Sequence, residues 1–188
     1  MTDTSEFEAF MRRHQDMVYS VALRLLAREA DAADVAQEVF LRAHTHYGEL
    51  RDNERAAGWL KTVTRNLCLN HLERYRARWR FFSELDNETT GEEFAASLPA
   101  PAPDSTGHDE PARTALLERA LQRLPAHQRV PLVLYHFEEL SYEAIALQLR
   151  VSLGKVKTDI HRGRDALRRV LQLSETGELT ARRLLPPP

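Results

Sequence analysis

The sequence predicts an all-α protein: two small helical domains joined by an acidic flexible linker, with a helix-turn-helix in the C-terminal domain. Apolar residues recur three and four positions apart in both halves, the period of an amphipathic helix. Residues 81–111 contain four prolines, eight acidic residues and no Lys or Arg, a composition typical of a linker. Two short helical patterns separated by a tight connection fill residues 141–171. We therefore expect domains at 5–80 and 112–172 and a frayed tail at 173–188.

The composition argues against several classes of protein. The 188 residues contain no apolar run long enough to span a membrane, and the polar N-terminus does not resemble a secretory signal. The single cysteine, Cys68, excludes an internal disulfide and fits a reducing cytoplasm, where we expect the protein to act. Cys68 and His71 lie one helical turn apart and could share a metal, but without a second cysteine nearby a buried, apolar Cys68 is the favoured interpretation.

No signature of catalysis appears in the sequence. It lacks a glycine-rich phosphate loop, a metal-spaced set of cysteines and histidines, and a nucleophile elbow. The sequence therefore predicts no catalytic residue, no metal site and no cofactor.

Charge is distributed unevenly along the chain, although the net charge is only −2. Residues 55–80 hold seven Lys and Arg against one acidic residue, and residues 113–172 hold eleven against six. The purely acidic linker separates these two basic blocks. Two basic blocks predict two separate contacts with nucleic acid.

Two helices open the N-terminal domain. The first should span about 6–28, with a core face of Phe7, Phe10, Met11, Val18, Val21, Ala22 and Leu25. The second should span about 31–47, with Asp31 as its N-cap. Its predicted core face is Val35, Ala36, Val39, Phe40 and Ala43. Its open face carries Asp34, Gln37, Glu38, Leu41 and Arg42.

A loop at 48–54 precedes a third, basic helix at about 55–79. Its apolar positions predict a core face of Trp59, Leu60, Val63, Leu67 and Tyr75. Its polar positions predict an exposed face of Lys61, Arg65, Asn66, Asn70 and Arg74. The helix ends in RYRARWR, which interleaves aromatic rings with arginines. Such a surface can stack on bases while holding phosphates, whereas the alternative is an ordinary basic helix end.

Two apolar stripes, one on each of two short helices, predict the helix-turn-helix. Tyr142, Ile145, Ala146 and Leu149 form one, and Ser152 is placed to cap the second helix. With Val156 set at zero on a helical wheel, Ile160 and Gly163 fall near the same direction, which marks the core side. Lys155, Thr158, His161 and Arg162 fall on the opposite side, between about 140° and 260°. The second helix of such a unit commonly enters the DNA major groove, while the alternative is a solvated helix face.

Taken in this order, three segments resemble the extracytoplasmic-function (ECF) sigma factors of bacterial RNA polymerase. DAADVAQEVFLRAH resembles the helix of region two that binds core polymerase. GWLKTVTRNLCLNHLERYRAR resembles the helix that melts and reads the minus-ten element. LPAHQRVPLVLYHFEELSYEAIALQLRVSLGKVKTDIHRGRDALRRVL resembles region four, which reads the minus-thirty-five element. The resemblance covers the chain from about residue 7 to residue 172.

The resemblance implies partners and residue roles. Core RNA polymerase would be bound through the clamp helices of its largest subunit and through its flap, and an anti-sigma factor would sequester both domains. The expected clamp contacts are Asp34, Gln37, Glu38, Leu41 and Arg42. The expected minus-ten contacts are Leu50, Lys61, Arg65, Asn66, Asn70, Arg74, Arg76 and Arg78. Within this set Asn66 would help to hold a flipped-out base, and loop 48–54 would close over that base.

The expected minus-thirty-five contacts lie in and just before the last helix. They are Ser152, Lys155, Lys157, Thr158, His161 and Arg162. Two positions depart from the family pattern: Lys155 stands where a small hydroxyl residue is usual, and Asp159 where an arginine is common. Asp159 lies off the groove-facing centre of the wheel, so it either removes a phosphate contact or forms an intramolecular pair.

Two other functions remain as alternatives. A stand-alone helix-turn-helix regulator would bind DNA without polymerase, but it would need a dimer and would leave the first domain unexplained. A helical adaptor that binds only protein would account for the acidic open face but not for the basic blocks. Trp59 is expected in the core rather than as a wedge in melted DNA, because it lies on the apolar stripe.

Overall fold

A computed structural model describes the backbone of residues 2–51, 53–83 and 109–184, and the side chains of residues 5–51, 53–73 and 114–169. The chain divides into two compact units, Met1–Asp86 and Asn87–Pro188. All regular structure in the described residues is helical, which confirms the predicted all-α class. None of the helices in these ranges is long and apolar enough to span a bilayer.

The first unit is a bundle of α1 (Thr2–Leu26), α2 (Glu29–Thr45) and α4 (Ala56–Ser83), with the short helix α3 (Tyr47–Leu50) between the last two. The three long helices pack against one another. Fully buried side chains from each of them, such as Val18, Val39 and Leu60, form the core. Most of the predicted core face of α1 and α2 is buried, so the period of these two helices was predicted correctly.

The start of α2 differs from the prediction. The helix begins at Glu29, after Arg28 in extended backbone, and no side chain caps it. Asp31 is therefore not the N-cap but lies within the first turn. There its carboxylate lies 3.5 Å from Arg28 Nε and 3.5 Å from His71 Nε2. A carboxylate in the first turn is favourable because its negative charge is attracted to the positive end of the helix dipole.

The buried face of α4 was also predicted incorrectly in part. Its buried positions are Ala56, Leu60, Thr64 and Cys68, spaced four residues apart, together with Leu69. Trp59, Val63 and Leu67 are only half-buried. Thr64 tolerates burial because its hydroxyl donates to the Leu60 carbonyl at 2.7 Å. Burial of Cys68 confirms its interpretation as a small apolar residue, while the side chain of Tyr75 lies outside the described residues.

The second unit contains α5 (Asp109–Arg123), α6 (Ala126–His136), α7 (Tyr142–Leu149) and α8 (Leu153–Leu184). α8 contacts each of the other three helices. The α5–α6 junction is fixed by Arg129, whose buried guanidinium donates from Nη1 to the Leu124 carbonyl at 2.6 Å. Burial lowers the pKa of Arg129 to about 10, so the group stays charged at neutral pH.

Gly163 sets how closely α8 approaches α6. A Cβ at this position would lie 2.9 Å from Leu132 Cδ1 and 3.4 Å from the Gln128 carbonyl oxygen. Only a residue without a side chain fits this crossing without displacing its neighbours. The helix then continues to Leu184, past residue 172, where the sequence predicts the end of the domain.

Candidate nucleic-acid interface

The helix-turn-helix forms as its sequence predicts. α7 begins after Ser141, whose hydroxyl accepts from the Ala144 amide at 3.1 Å. It ends at Leu149, and the next residue, Arg150, adopts the left-handed conformation with φ 55° and turns the chain toward α8. Ser152 then caps α8, as predicted, because its hydroxyl accepts from the Lys155 amide at 3.3 Å.

α8 turns one face inward and a polar face outward. Its buried face is Val156, Ile160, Gly163, Ala166 and Leu167. The predicted contact residues are all exposed: Ser152, Lys155, Lys157, Thr158, His161 and Arg162. Arginine and lysine can reach guanine edges or phosphates, and threonine can contact a base edge or a thymine methyl. The geometry thus presents groups that are suited to the major groove.

Acidic residues of α8 pair with some of the basic side chains on this helix. Asp159 is only 5% exposed, and its carboxylate oxygens lie 3.0 and 3.2 Å from Lys155 Nζ. Of the two roles considered for Asp159, an intramolecular pair is therefore the one observed. Further along the helix, Asp165 accepts from Arg168 at 2.7 Å and lies 3.2 Å from His161 Nε2.

The first unit contains a pocket of about 530 Å³ where α3 and the following loop meet the start of α4. Its lining residues are His46, Glu49, Leu50, Asn53, Arg55, Gly58, Trp59 and Thr62. Asn53 shapes the loop by accepting from the Arg55 amide at 2.8 Å through its side-chain oxygen. Trp59 lies against His46 with ring centroids 5.7 Å apart. Aromatic walls next to amide, carboxylate and guanidinium groups suit a flat ligand with a hydrogen-bonding edge.

The exposed face of α4 continues from this pocket. Gly58, Thr62, Asn66 and Asn70 are exposed and follow one another at intervals of four residues. Such positions share one side of a helix, so Asn66 and Asn70 extend the line that starts in the pocket wall. Lys61 is exposed and Arg65 is half-buried. The side chains of Arg74, Arg76 and Arg78 lie outside the described residues.

Leu50 is 4% exposed and belongs to the core of the first unit, and it also lines the pocket. Its side chain therefore forms part of the pocket's apolar wall. The sequence did not point to His46 or Arg55, and it included Asn53 only as part of loop 48–54. An asparagine whose side chain can accept from the amide two residues on is a recognisable turn signal, but only the folded loop places it in the same pocket as His46 and Trp59.

The open face of α2 is exposed as predicted. Asp34, Gln37, Leu41 and Arg42 are exposed, and Glu38 is half-buried. Arg42 Nε donates to Glu38 Oε1 at 2.8 Å, which ties two of the predicted polymerase contacts together. Leu41 is 59% exposed, a large apolar side chain among charged neighbours.

Both units match known protein families. Residues 10–79 match the family model of sigma-70 region 2, and residues 114–167 match that of sigma-70 region 4. The chain is 37% identical to ECF RNA polymerase sigma factor SigE of Mycolicibacterium smegmatis, over 92% of this chain and 65% of that protein. It is 34% identical to RNA polymerase sigma-E factor of Streptomyces avermitilis, over 95% of this chain and 90% of that protein.

A solved structure is also similar: sigma factor RpoE of Bartonella quintana, crystallised with the anti-sigma factor NepR. It has a TM-score of 0.48 and 22% identity, and the match covers 88% of this chain and 96% of that one.

The two family models define the chain as a sigma-70-type protein with regions 2 and 4. More specifically, it belongs to the ECF sigma factors, the family that directs promoter-specific initiation by bacterial RNA polymerase.

Proposed function

We propose that this chain binds core RNA polymerase through α2, melts and reads the minus-ten element through α4 and its pocket, and reads the minus-thirty-five element through α8. The observation that carries the proposal is the two-sided character of α8. It buries Val156 and Ile160 and turns Lys157, Thr158 and Arg162 outward, behind a Ser152 cap. Ser152 and His161 belong to the expected contact surface as well, whereas Lys155, also expected there, is paired with Asp159.

The minus-ten role rests on the pocket and the exposed face of α4. A base can be read there only after it leaves the duplex, because its edge and faces are otherwise covered by pairing and stacking. Trp59 and His46 offer rings for stacking, and Asn53 and Arg55 offer polar groups for the base edge. Lys61, Arg65, Asn66 and Asn70 would then follow the unpaired strand.

The polymerase role rests on the open face of α2. Its acidic and amide groups can pair with a basic partner, while Leu41 can be buried on association. The clamp helices of the largest subunit are the proposed site for this face, and the flap is the proposed contact of the second unit. An anti-sigma factor that competes for these surfaces is the proposed regulator.

Two further properties follow from the same proposal. The protein acts in the cytoplasm, where core polymerase and the promoter are found. It supplies recognition and no chemistry of its own, because the nucleotidyl transfer belongs to the core enzyme. The domains are proposed at 5–80 and 112–172, with the acidic segment 81–111 connecting them.

A run-off transcription assay tests this function. The purified chain, core polymerase from the source bacterium and genomic promoter fragments should yield discrete transcripts whose starts can be mapped. Arg162→Ala should weaken use of the upstream element and leave comigration with core polymerase in gel filtration intact. Arg119→Ala, an exposed arginine on α5, is the matched control and should transcribe normally.

Two results would contradict the proposal. Failure of the chain to comigrate with core polymerase would remove the sigma-factor function. Tight, specific binding to a duplex without polymerase would favour a stand-alone helix-turn-helix regulator instead.

A further inference from the structure

The Lys155–Asp159 pair is the feature of α8 that the proposed function leaves unused. The Asp159 carboxylate is almost fully buried, yet the Lys155 side chain that contacts it is 49% exposed. The ammonium group therefore lies beside a buried carboxylate, although the lysine side chain as a whole stays half exposed. Both carboxylate oxygens lie within 3.2 Å of Nζ, so the ammonium group contacts both of them.

Helix stability does not explain this pair. Lys155 lies in the first turn of α8, where a positive charge opposes the helix dipole. A lysine four residues before an acidic residue is also the less favourable of the two possible orders. A buried carboxylate, in contrast, is costly unless a cation accompanies it. The pair therefore offsets the cost of burying the Asp159 carboxylate and does not serve to stabilise the helix.

The surroundings of the pair are also basic. Arg162 lies on the same helix, and His127 of α6 is close enough for its pKa to respond to Asp159, Lys155 and Arg162. Burial is the main effect on His127 and lowers its pKa, so the ring is neutral above neutral pH. Under those conditions the direct cationic contact of Asp159 is Lys155.

We propose that Asp159 is a positioning residue that withholds the Lys155 ammonium from DNA phosphates and so lowers the sequence-independent affinity of α8. This inference rests on the proposed DNA-reading role of that helix. Phosphate contacts add affinity without sequence information, and the genome offers many competing sites. With Lys155 held by Asp159, discrimination would depend on Lys157, Thr158 and Arg162.

The test is the salt dependence of binding to nonspecific DNA. The full chain is titrated against a fluorescein-labelled mixed-sequence duplex over a series of KCl concentrations, at about pH 8, where His127 is neutral. Asp159→Asn should tighten binding at low salt. The slope of log K against log salt should steepen by about 0.9, the effect of one additional neutralised phosphate.

The same substitution in a Lys155→Ala background separates positioning from simple structural support. If Asp159 acts through Lys155, Asp159→Asn should have no effect on the slope once Lys155 is replaced by alanine. The Lys155→Ala variant and the double variant should then have the same slope. An equal change in both backgrounds, or no change in slope with Asp159→Asn, would overturn the proposal. Asp159→Ala, which buries no polar atom, is the second variant if thermal melting shows that the asparagine variant is poorly folded.

Failure of this inference is distinguishable from failure of the proposed function. If Arg162→Ala has no effect on promoter use, α8 does not read DNA and the proposed function itself is lost. If Arg162→Ala weakens promoter use but Asp159→Asn leaves the salt slope unchanged, the DNA-reading role stands and the role of the pair is wrong.

Discussion

Arg164 Nε donates a hydrogen bond to His136 Nε2 at 3.0 Å and so joins α8 to the end of α6. The Arg164 guanidinium also lies 5.3 Å from the centre of the Tyr135 ring, which itself stacks on Tyr142 of α7. These four side chains connect the helices of the helix-turn-helix across 28 positions of sequence. The arrangement requires a neutral His136, because only an unprotonated Nε2 can accept from Arg164.

We predict that the stability of the second unit falls below about pH 6.5, the ordinary histidine pKa. Burial and then the Arg164 charge lower the pKa of His136 in the folded state. The unfolded chain therefore binds a proton first as the pH falls, so stability is complete above the unfolded pKa and declines below it. Thermal melting against pH measures the decline.

His136→Asn is the variant that assigns this decline to His136. It should reduce the pH dependence without abolishing it, because the pKa of His127 in the same unit is also lowered by burial. An NMR titration of the His136 ring gives the pKa directly, and a value above that of a model peptide would contradict the prediction.

Gly163→Ala should destabilise the second unit. The added methyl would lie 2.9 Å from Leu132 Cδ1, and Leu132 is buried, so the side chain has little room to move. Overpacking of this kind costs about 1–3 kcal/mol, against a gain of about 1 kcal/mol in helix propensity. Gly154→Ala in the same helix meets nothing within 4 Å and should be neutral or stabilising in chemical denaturation. Equal effects of the two variants would show that the close crossing is unimportant.

Trp59→Ala should impair promoter melting more than it impairs folding. Trp59 is half-buried and lines the pocket, whereas its neighbour Leu60 is fully buried. Leu60→Ala should lower the unfolding free energy by about 2–5 kcal/mol. Permanganate footprinting of the open complex should show loss of melting with Trp59→Ala and retention with Trp59→Phe. If Trp59→Ala instead loses as much stability as Leu60→Ala and melts the promoter normally, Trp59 is a core residue and does not contact DNA.

Leu41→Ala should weaken binding to core polymerase at little cost in stability. An exposed side chain away from capping or packing features changes the unfolding free energy by less than about 0.5 kcal/mol. Leu25→Ala, the same change at a fully buried position, should cost about 2–5 kcal/mol. Gel filtration or surface binding to core polymerase measures the first effect and denaturant unfolding the second. Unchanged polymerase affinity of Leu41→Ala would remove α2 from the interface.

The sequence by itself determined the helical class and the two-sided character of α8. The wheel of α8 was correct because Val156, Ile160 and Leu167 are apolar while Lys157, Thr158 and Arg162 between them are polar. In such a helix, a single orientation buries all the apolar side chains. The Ser152 cap was equally predictable, because a capping hydrogen bond is local and needs no partner distant in sequence.

Only the tertiary structure decided the features that depend on packing between helices. Thr64 and Ala56 are buried and Trp59 is not fully so, because packing against α1 and α2 selects a face of α4 by shape as well as by hydrophobicity. The contacts of Arg164 with His136, and of the pocket loop with Trp59, join residues that no periodicity connects. Asp159 shows the same limit: its position on the wheel was predictable, but its burial required the packing of α8 against the other helices of the second unit.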